Sequence, residues 1–464
     1  MPSPTPSDLP DGLRPELAEA LALLSYDELT PIQAAALPAI LGGRDVVGKA
    51  QTGSGKTAAF GLGLLQGITP LRAVQALVLC PTRELADQVT GELRRLAQRL
   101  PNTRVVSICG GRPFRDQRLA LEQGSQVVVG TPGRIAEHLR RETLGLEALR
   151  VLVLDEADRM LDMGFVEEVE GIVDLCPPER QTLLFSATFP DRIRDLSDRV
   201  QQDAVTVEVA SRVAAETLEE LVVMGGPGER KQLVLRVLAT HRPDAALLFC
   251  ETRNDCDALA AFLTARGATA LSLHGGLEQR ERDDVLVQFA NGSARLLVAT
   301  NVAARGLDIP ALPAVIITEL SGEPQSHLHR VGRTGRAGVS GLAVSIVCGP
   351  SEQRRLEAIE DFLGQPLPRG AALGPDSDVS YLTPAYRTVL IASGRKQKLR
   401  RGDVLGALIK DGKLPPDSIG RIDLGDKTCT VAIAQAHATQ ALRFLQGARV
   451  KKQRVRALML GVDR

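Results

Sequence analysis

Asp45-Val46-Val47-Gly48-Lys49-Ala50-Gln51-Thr52-Gly53-Ser54-Gly55-Lys56-Thr57 opens on a short apolar strand, turns through a glycine-rich loop and enters an Ala/Leu-rich helix. A glycine-rich turn lets backbone N–H groups approach and cradle phosphates at a helix N-terminus. Lys56 can then reach the β- and γ-phosphates of a nucleotide, and the Thr57 hydroxyl can ligate Mg²⁺. Ala50, Gln51, Thr52, Gly53, Ser54, Gly55, Lys56 and Thr57 are therefore the candidate nucleotide-binding residues, with Lys56 also a catalytic candidate. Ala50 stands where the generic pattern has its first glycine.

The strand–turn–helix unit repeats outward from this stretch. Short apolar, β-branched-rich runs recur between helical patterns at 76–80, 105–109, 126–129, 151–154, 182–185 and 205–209. A second set lies at 221–224, 245–250, 268–273, 295–299, 314–318 and 342–347. Buried strands alternating with helices predict two doubly wound parallel α/β domains, 1–209 and 216–364, joined by a linker at 210–215. Residues 365–384 carry several Pro, Gly, Ser and Asp and read as a second linker. Beyond it, strands at 388–391, 419–422, 430–434 and 455–460 and helices at 403–410 and 437–446 give the order βαββαβ. That order belongs to ferredoxin-like or RNA-recognition-type (RRM-like) domains, here 385–464.

Polar clusters sit where the strands end, which is where open α/β sheets bind ligands. Asp155-Glu156 follows the run at 151–154. Asp155 can hold Mg²⁺, and Glu156 beside it can orient and deprotonate an attacking water. In the second half, His329-Arg330-Val331-Gly332-Arg333-Thr334-Gly335-Arg336 is arginine-rich. Arg333 and Arg336 can neutralise charge developing on a γ-phosphate, and because they lie in the second domain, hydrolysis is expected only when the two domains close.

The chain has 464 residues, 44% hydrophobic and 24% charged, with 56 basic and 56 acidic residues. These values exclude a disulfide-stapled miniprotein and, taken whole, argue against a polyanion binder. The zero net charge is a cancellation. Residues 387–464 hold 17 basic residues against 6 Asp and no Glu, a net +11 that leaves −11 for the rest. Seven of the ten lysines lie in this basic tail, which suggests a module addressed to a polyanion. The seven cysteines form no C-x-x-C pair and read as buried free thiols in a reducing compartment. No signal peptide or membrane span is expected, so the location expected is cytoplasmic.

Taken together, these residues resemble the DEAD-box ATP-dependent RNA helicases, whose literal signature is Asp155-Glu156-Ala157-Asp158. The resemblance implies two tandem RecA-like domains and ATP with Mg²⁺. Thr30-Pro31-Ile32-Gln33 is similar to the Q motif, whose glutamine, here Gln33, reads adenine. Asp158 and Ser186-Ala187-Thr188 resemble the element coupling ATP state to RNA. Arg305-Gly306-Leu307-Asp308 is similar to the motif whose Arg contacts RNA and whose Asp contacts the ATP ribose. Arg83, Gly110, Gly111, Thr131 and Arg134 match RNA-backbone contacts of the first domain, and Gln279, Arg282 and Thr300 those of the second.

Gly402-Asp403-Val404-Leu405-Gly406-Ala407, preceded by the basic run Arg395, Lys396, Lys398 and Arg400, resembles the DbpA subfamily. There the appended domain grips large-subunit ribosomal RNA, which implies pre-ribosomal particles as partners and local unwinding of short duplexes. The run 430–434 has no aromatic residue, so recognition is expected from basic edges and loops rather than base stacking. Competing readings are a cold-shock type DEAD-box helicase, an ATP-gated RNA clamp or chaperone without ribosomal selectivity, and a DNA helicase. Three positions depart from the family pattern: Leu29 replaces a proline, Asn301 replaces an aspartate, and Tyr26 is the only aromatic before Phe60. The last predicts looser adenine binding.

Overall fold

Strands buried on both faces need no polar alternation, and the first sheet is built from such strands except at its edge strand Val205–Glu208, where Thr206 and Glu208 are exposed. The computed structural model describes residues 12–26, 28–50, 54–209, 218–304, 312–335, 340–370, 374, 378–447, 449–450 and 453–461. In chain order the strands of the first sheet are β1 (Val46–Lys49), β2 (Ala76–Leu79), β3 (Val105–Ile108) and β4 (Val127–Gly130). They continue with β5 (Val151–Asp155), β6 (Gln181–Ser186) and β7 (Val205–Glu208). Their spatial order is β3-β4-β2-β5-β6-β1-β7 and the pairing is parallel throughout, with Val46 opposite both Leu183 and Val205. Val128, Val129, Leu152, Val153, Leu183 and Leu184 are wholly buried. One apolar layer gathers Phe60, Leu64, Leu93 and Val129; the other gathers Leu77, Leu154, Met160 and Ile193. The two layers are the helix-covered faces of the sheet.

The second sheet repeats the plan in another compact unit. Its strands are β8 (Leu218–Gly225), β9 (Ala246–Cys250), β10 (Ala270–Leu273), β11 (Leu296–Thr300), β12 (Ala314–Ile317) and β13 (Gly341–Cys348). Their order is β10-β11-β9-β12-β13-β8, all parallel. Strand positions match the apolar runs to within about three residues. The linker expected at 210–215 lies outside the described residues.

The third sheet shares that unit and is antiparallel. It contains β14 (Tyr386–Ile391), β15 (Ile419–Leu424), β16 (Cys429–Ala434) and, after a small hairpin of β17 (Arg449–Val450) and β18 (Gln453–Arg454), β19 (Ala457–Met459). The order β15-β16-β14-β19 is the 2-3-1-4 arrangement of a βαββαβ domain. Helices Arg401–Gly406 and Ala438–Gly447 close a core of Val404, Val431, Ala441 and Leu445. The first of them starts two residues earlier than its apolar pattern predicts, because Asp403 Oδ2 accepts the Arg400 N–H at 2.9 Å.

Both ends of 365–384 are packed. Pro368 accepts from Val222 N, and Val222 accepts from Gly370 N, each at 2.8 Å. Val379 and Leu382 are wholly buried in the second core, and the Tyr381 hydroxyl donates to the Leu238 carbonyl at 2.8 Å. Beyond this segment, β14 is seated directly on the turn before β11. Thr388, wholly buried, accepts from Asn291 Nδ2 and donates to Ser293 Oγ, both at 2.9 Å. Among the described residues no helix is long and apolar enough to cross a membrane.

Candidate active site

The turn after β1 needs glycine. Gly55 has φ +96°, and a Cβ there would lie 2.6 Å from both Gln33 Nε2 and Thr30 Oγ1. Gln33 reaches the loop because its helix, Pro31–Leu41, is capped by the same side chain. Its Oε1 accepts the Thr30 N–H at 2.9 Å while Nε2 donates to the Gly55 carbonyl at 3.1 Å. Ala50 is tied to β6 through its N–H and the Ser186 carbonyl at 3.1 Å. Gln51, Thr52 and Gly53 lie outside the described residues.

Lys56 starts the helix Lys56–Gln66 and is 5% exposed. Its ammonium, Ser54 Oγ and Asp155 Oδ1 are buried with no hydrogen-bond partner among the described residues. Buried polar groups are ordinarily paired, and leaving one bare costs free energy on the order of 1–3 kcal/mol. A cation without a partner beside an oxygen without one, at a helix N-terminus, fits a phosphate group held with a divalent ion. Lys56 and Asp155 line a cavity of about 240 Å³ together with Gly55, Thr57, Glu156 and Tyr26. Burial pushes the Asp155 carboxyl up to about 6; the Lys56 charge opposes the shift and the Glu156 charge adds to it. Glu156 occupies the left-handed region, φ 52° and ψ 52°, and pairs with Arg159 at 2.9 Å where both side chains are nearly dry. Such conformations cost of order 1 kcal/mol or more in a non-glycine residue and collect at functional sites.

The third acidic residue of the signature faces β6 instead. Asp158 Oδ2 accepts the Thr188 N–H at 2.9 Å and the Thr188 hydroxyl at 2.7 Å. The Ser186 hydroxyl donates to the Thr188 carbonyl at 2.6 Å and accepts the Asp158 N–H at 3.3 Å. Asp158, Ser186 and Thr188 thus form one hydrogen-bonded knot at the ends of β5 and β6.

Arg83, Gly110, Gly111, Thr131 and Arg134 also come together, at the ends of β2, β3 and β4. Thr82 caps the helix Arg83–Leu96, and the Arg83 guanidinium lies across the Gly110–Gly111 turn so closely that a Cβ on Gly111 would collide with it. Thr131 donates its N–H to the Ile108 carbonyl at 3.3 Å. Arg134, on the helix Pro132–Arg140, donates to the Arg112 carbonyl and to Gln117 Oε1, each at 3.1 Å, and pairs with Glu137 at 3.2 Å. Gln117 and His138, which complete this group, were not foreseen from sequence. The i,i+4 spacing of Arg134 and His138 on one helix was the available signal.

In the second unit, Gln279 and Arg282 occupy the first turn of the helix Gln279–Ala290, with Gln279 Nε2 donating to Asp283 Oδ1 at 3.0 Å. Thr300 ends β11, and Asn301 Nδ2 contacts Ser326 Oγ at 3.4 Å. Arg333 is 3% exposed. Arg305, Asp308 and Arg336 lie outside the described residues. In the third sheet's domain, Arg395, Lys396, Lys398 and Arg400 are all exposed. Their turn is pinned by the Arg395 and Lys396 N–H groups to the Gly425 and Asp426 carbonyls, both at 2.9 Å.

Residues 30–196 match the DEAD/DEAH box helicase family, 229–338 the helicase conserved C-terminal domain, and 388–458 the DbpA RNA binding domain. The chain is 50% identical over 438 residues to the ATP-dependent RNA helicase DbpA of Escherichia coli, covering 94% of this chain and 95% of that one. It is 36% identical to the DbpA of Bacillus subtilis, covering 95% and 96%. Among solved structures it is similar to Saccharomyces cerevisiae Dbp5 bound to RNA and ADP-BeF3, with TM-score 0.70 and 31% identity over 76% of this chain and 92% of that one.

Proposed function

The chain belongs to the DbpA family of DEAD-box ATP-dependent RNA helicases, and from that premise we propose that it locally separates short RNA duplexes on large-subunit ribosomal RNA during ribosome assembly. The observation that supports the ATP site most directly is the buried Lys56 ammonium beside Asp155, without a partner among the described residues. Lys56 and the N–H groups of the loop hold the β- and γ-phosphates, and Gln33 selects the adenine. Thr57 and Asp155 would hold Mg²⁺, which when bound neutralises charge on the phosphate oxygens. Glu156, fixed by Arg159, holds the attacking water and takes its proton. Arg333 and Arg336 neutralise charge on the transferred group, and Asp308 contacts the ribose.

Asp158, Ser186 and Thr188 carry the state of the ATP site to the RNA residues Arg83, Gly110, Gly111, Thr131, Arg134, Gln279, Arg282, Thr300 and Arg305. The exposed Arg395, Lys396, Lys398 and Arg400 supply the phosphate contacts of the targeting domain. Expected location and partners follow: the cytoplasm and pre-ribosomal particles.

Two measurements test this. Glu156→Gln is expected to bind ATP and RNA yet lose steady-state turnover by at least about a hundredfold; preserved ATPase activity would remove Glu156 from the mechanism. Separately, a panel of RNAs compares the full chain with one truncated before residue 385. Loss of preference for ribosomal RNA, with weak stimulation by any RNA retained, is the expected result. A truncated chain that still prefers ribosomal RNA would overturn the targeting role.

A further inference from the structure

Behind the candidate RNA residues of the first sheet runs a buried polar chain that their assignment leaves unused. Gln117 is 5% exposed and His138 is wholly buried. Gln117 Nε2 donates to the Cys109 carbonyl, the residue before the Gly110–Gly111 turn, at 2.6 Å. That contact needs a donor, so the amide oxygen is turned the other way. There it meets two partners at 3.1 Å each, Arg134 NH1 and His138 Nε2. One sp² oxygen has two lone pairs, and both are used.

His138 must then carry its proton on Nε2. Its Nδ1 lies 2.8 Å from Thr143 Oγ1, which anchors the ring from behind. Phe114 stacks on the imidazole with ring centres 4.1 Å apart and an 11° tilt. Burial, with Arg134 and Arg141 nearby, pushes the His138 pKa down to about 4 against the pull of Glu137. The ring is neutral at working pH, and the Gln117 oxygen, which can only accept, places its one proton on Nε2.

We infer that Gln117 and His138 are positioning residues for RNA, holding the Gly110–Gly111 turn and the Arg134 guanidinium in a single arrangement. This rests on the reading of Arg134 as an RNA contact. Glu137 on the same helix holds the guanidinium Nε at 3.2 Å, and the Arg112 carbonyl takes the other NH1 proton at 3.1 Å. Gln117 holds one NH1 proton, steering the fork along the sheet end rather than leaving it to its own helix. Through one side-chain amide, residues from the loop after β3 and the helix after β4 keep a common geometry. Removing the amide leaves the guanidinium held only by the Arg112 carbonyl and Glu137 and loosens the Cys109 carbonyl, so part of the cost of ordering them falls on RNA binding.

The test is RNA-stimulated ATPase of the full chain with an unstructured homopolymer RNA, reading KM for RNA, KM for ATP and kcat. Gln117→Met keeps the shape and deletes all three amide contacts. It is expected to raise KM for RNA about tenfold, as expected for losing a hydrogen bond to a charged group. KM for ATP and kcat at saturating RNA should stay within about twofold, a split that a general packing defect does not produce. Combined with Arg134→Ala it should add little to Arg134→Ala alone. His138→Leu should reproduce the defect, and His138→Gln, whose amide can still donate to Gln117, should restore most of the affinity.

If Gln117→Met does not fold, Gln117→Glu takes its place: it keeps an acceptor for Arg134, loses the donor to Cys109, and should likewise raise KM for RNA. Arg134→Ala with unchanged KM for RNA overturns the RNA-contact reading itself. Arg134→Ala defective while the Gln117 and His138 variants bind RNA normally, or fully additive defects in the double variant, overturns the positioning role and leaves that reading standing.

Discussion

Asp158 Oδ2 takes two hydrogen bonds from one residue, the backbone N–H and the hydroxyl of Thr188. The first survives any substitution there except proline; the second does not. Thr188→Val removes only the hydroxyl contact, worth about 1.5–3 kcal/mol when the acceptor is a carboxylate. If this knot carries the coupling, ATP turnover with saturating RNA should change by less than about threefold while duplex separation falls about tenfold or more. Measuring both on one preparation separates coupling from chemistry; a parallel fall in the two would place Thr188 in the chemistry instead. Glu156, in the same acidic signature, is held at φ 52°, a conformation its own chemistry disfavours. The dry pair with Arg159 keeps it there.

Among elements, β14 does two jobs, and neighbouring residues divide them. Val389 and Ile391 face the core of the third sheet, whereas Thr388 reaches Asn291 and Ser293. Thr388→Val conserves volume and strands two buried polar groups, so a loss of about 2–3 kcal/mol is expected in the unfolding of this unit. Thermal or urea unfolding reads it; an unchanged midpoint would mean that the contact contributes nothing. Most strands of the two parallel sheets were legible because they are continuous apolar runs with polar punctuation at their ends, and 151–154 against Val151–Asp155 is typical. The segment 365–384 was harder, since its composition averages over side chains whose fates differ. Pro, Gly and Asp set its character, while Val379 and Leu382 are buried in the core. Gln117 and His138 escaped for another reason. Their meaning comes from a contact across 21 residues of chain, which no local pattern encodes. By contrast, Lys56, Asp155 and Glu156 could be read as candidates from sequence because the chemistry proposed for them demands fixed neighbours, and the three line one cavity.

At the level of the whole molecule, the charge of zero conceals an acidic body and a +11 end. The four exposed basic residues Arg395, Lys396, Lys398 and Arg400 cluster on one turn held to Gly425 and Asp426. Polyanion binding through such contacts releases counterions, so affinity falls with salt in proportion to the phosphates neutralised. Replacing all four by Ala should flatten the slope of log affinity against log salt by up to about 3 for single-stranded RNA. A titration series from low to high KCl provides the slope, and an unaltered slope would move the phosphate contacts elsewhere on the domain.

The seat of Thr388 on Asn291 and Ser293 has a consequence for how far the protein reaches. A grip swinging on a slack tether would let the motor work anywhere within a sphere around the anchor point. If the third domain grips RNA as proposed, a buried joint makes the grip a ruler, and the distance along RNA from the held feature to the melted stretch is expected to take one preferred value. Substrates that shift a duplex stepwise from the anchor should then show a maximum at one spacing, with activity falling on either side.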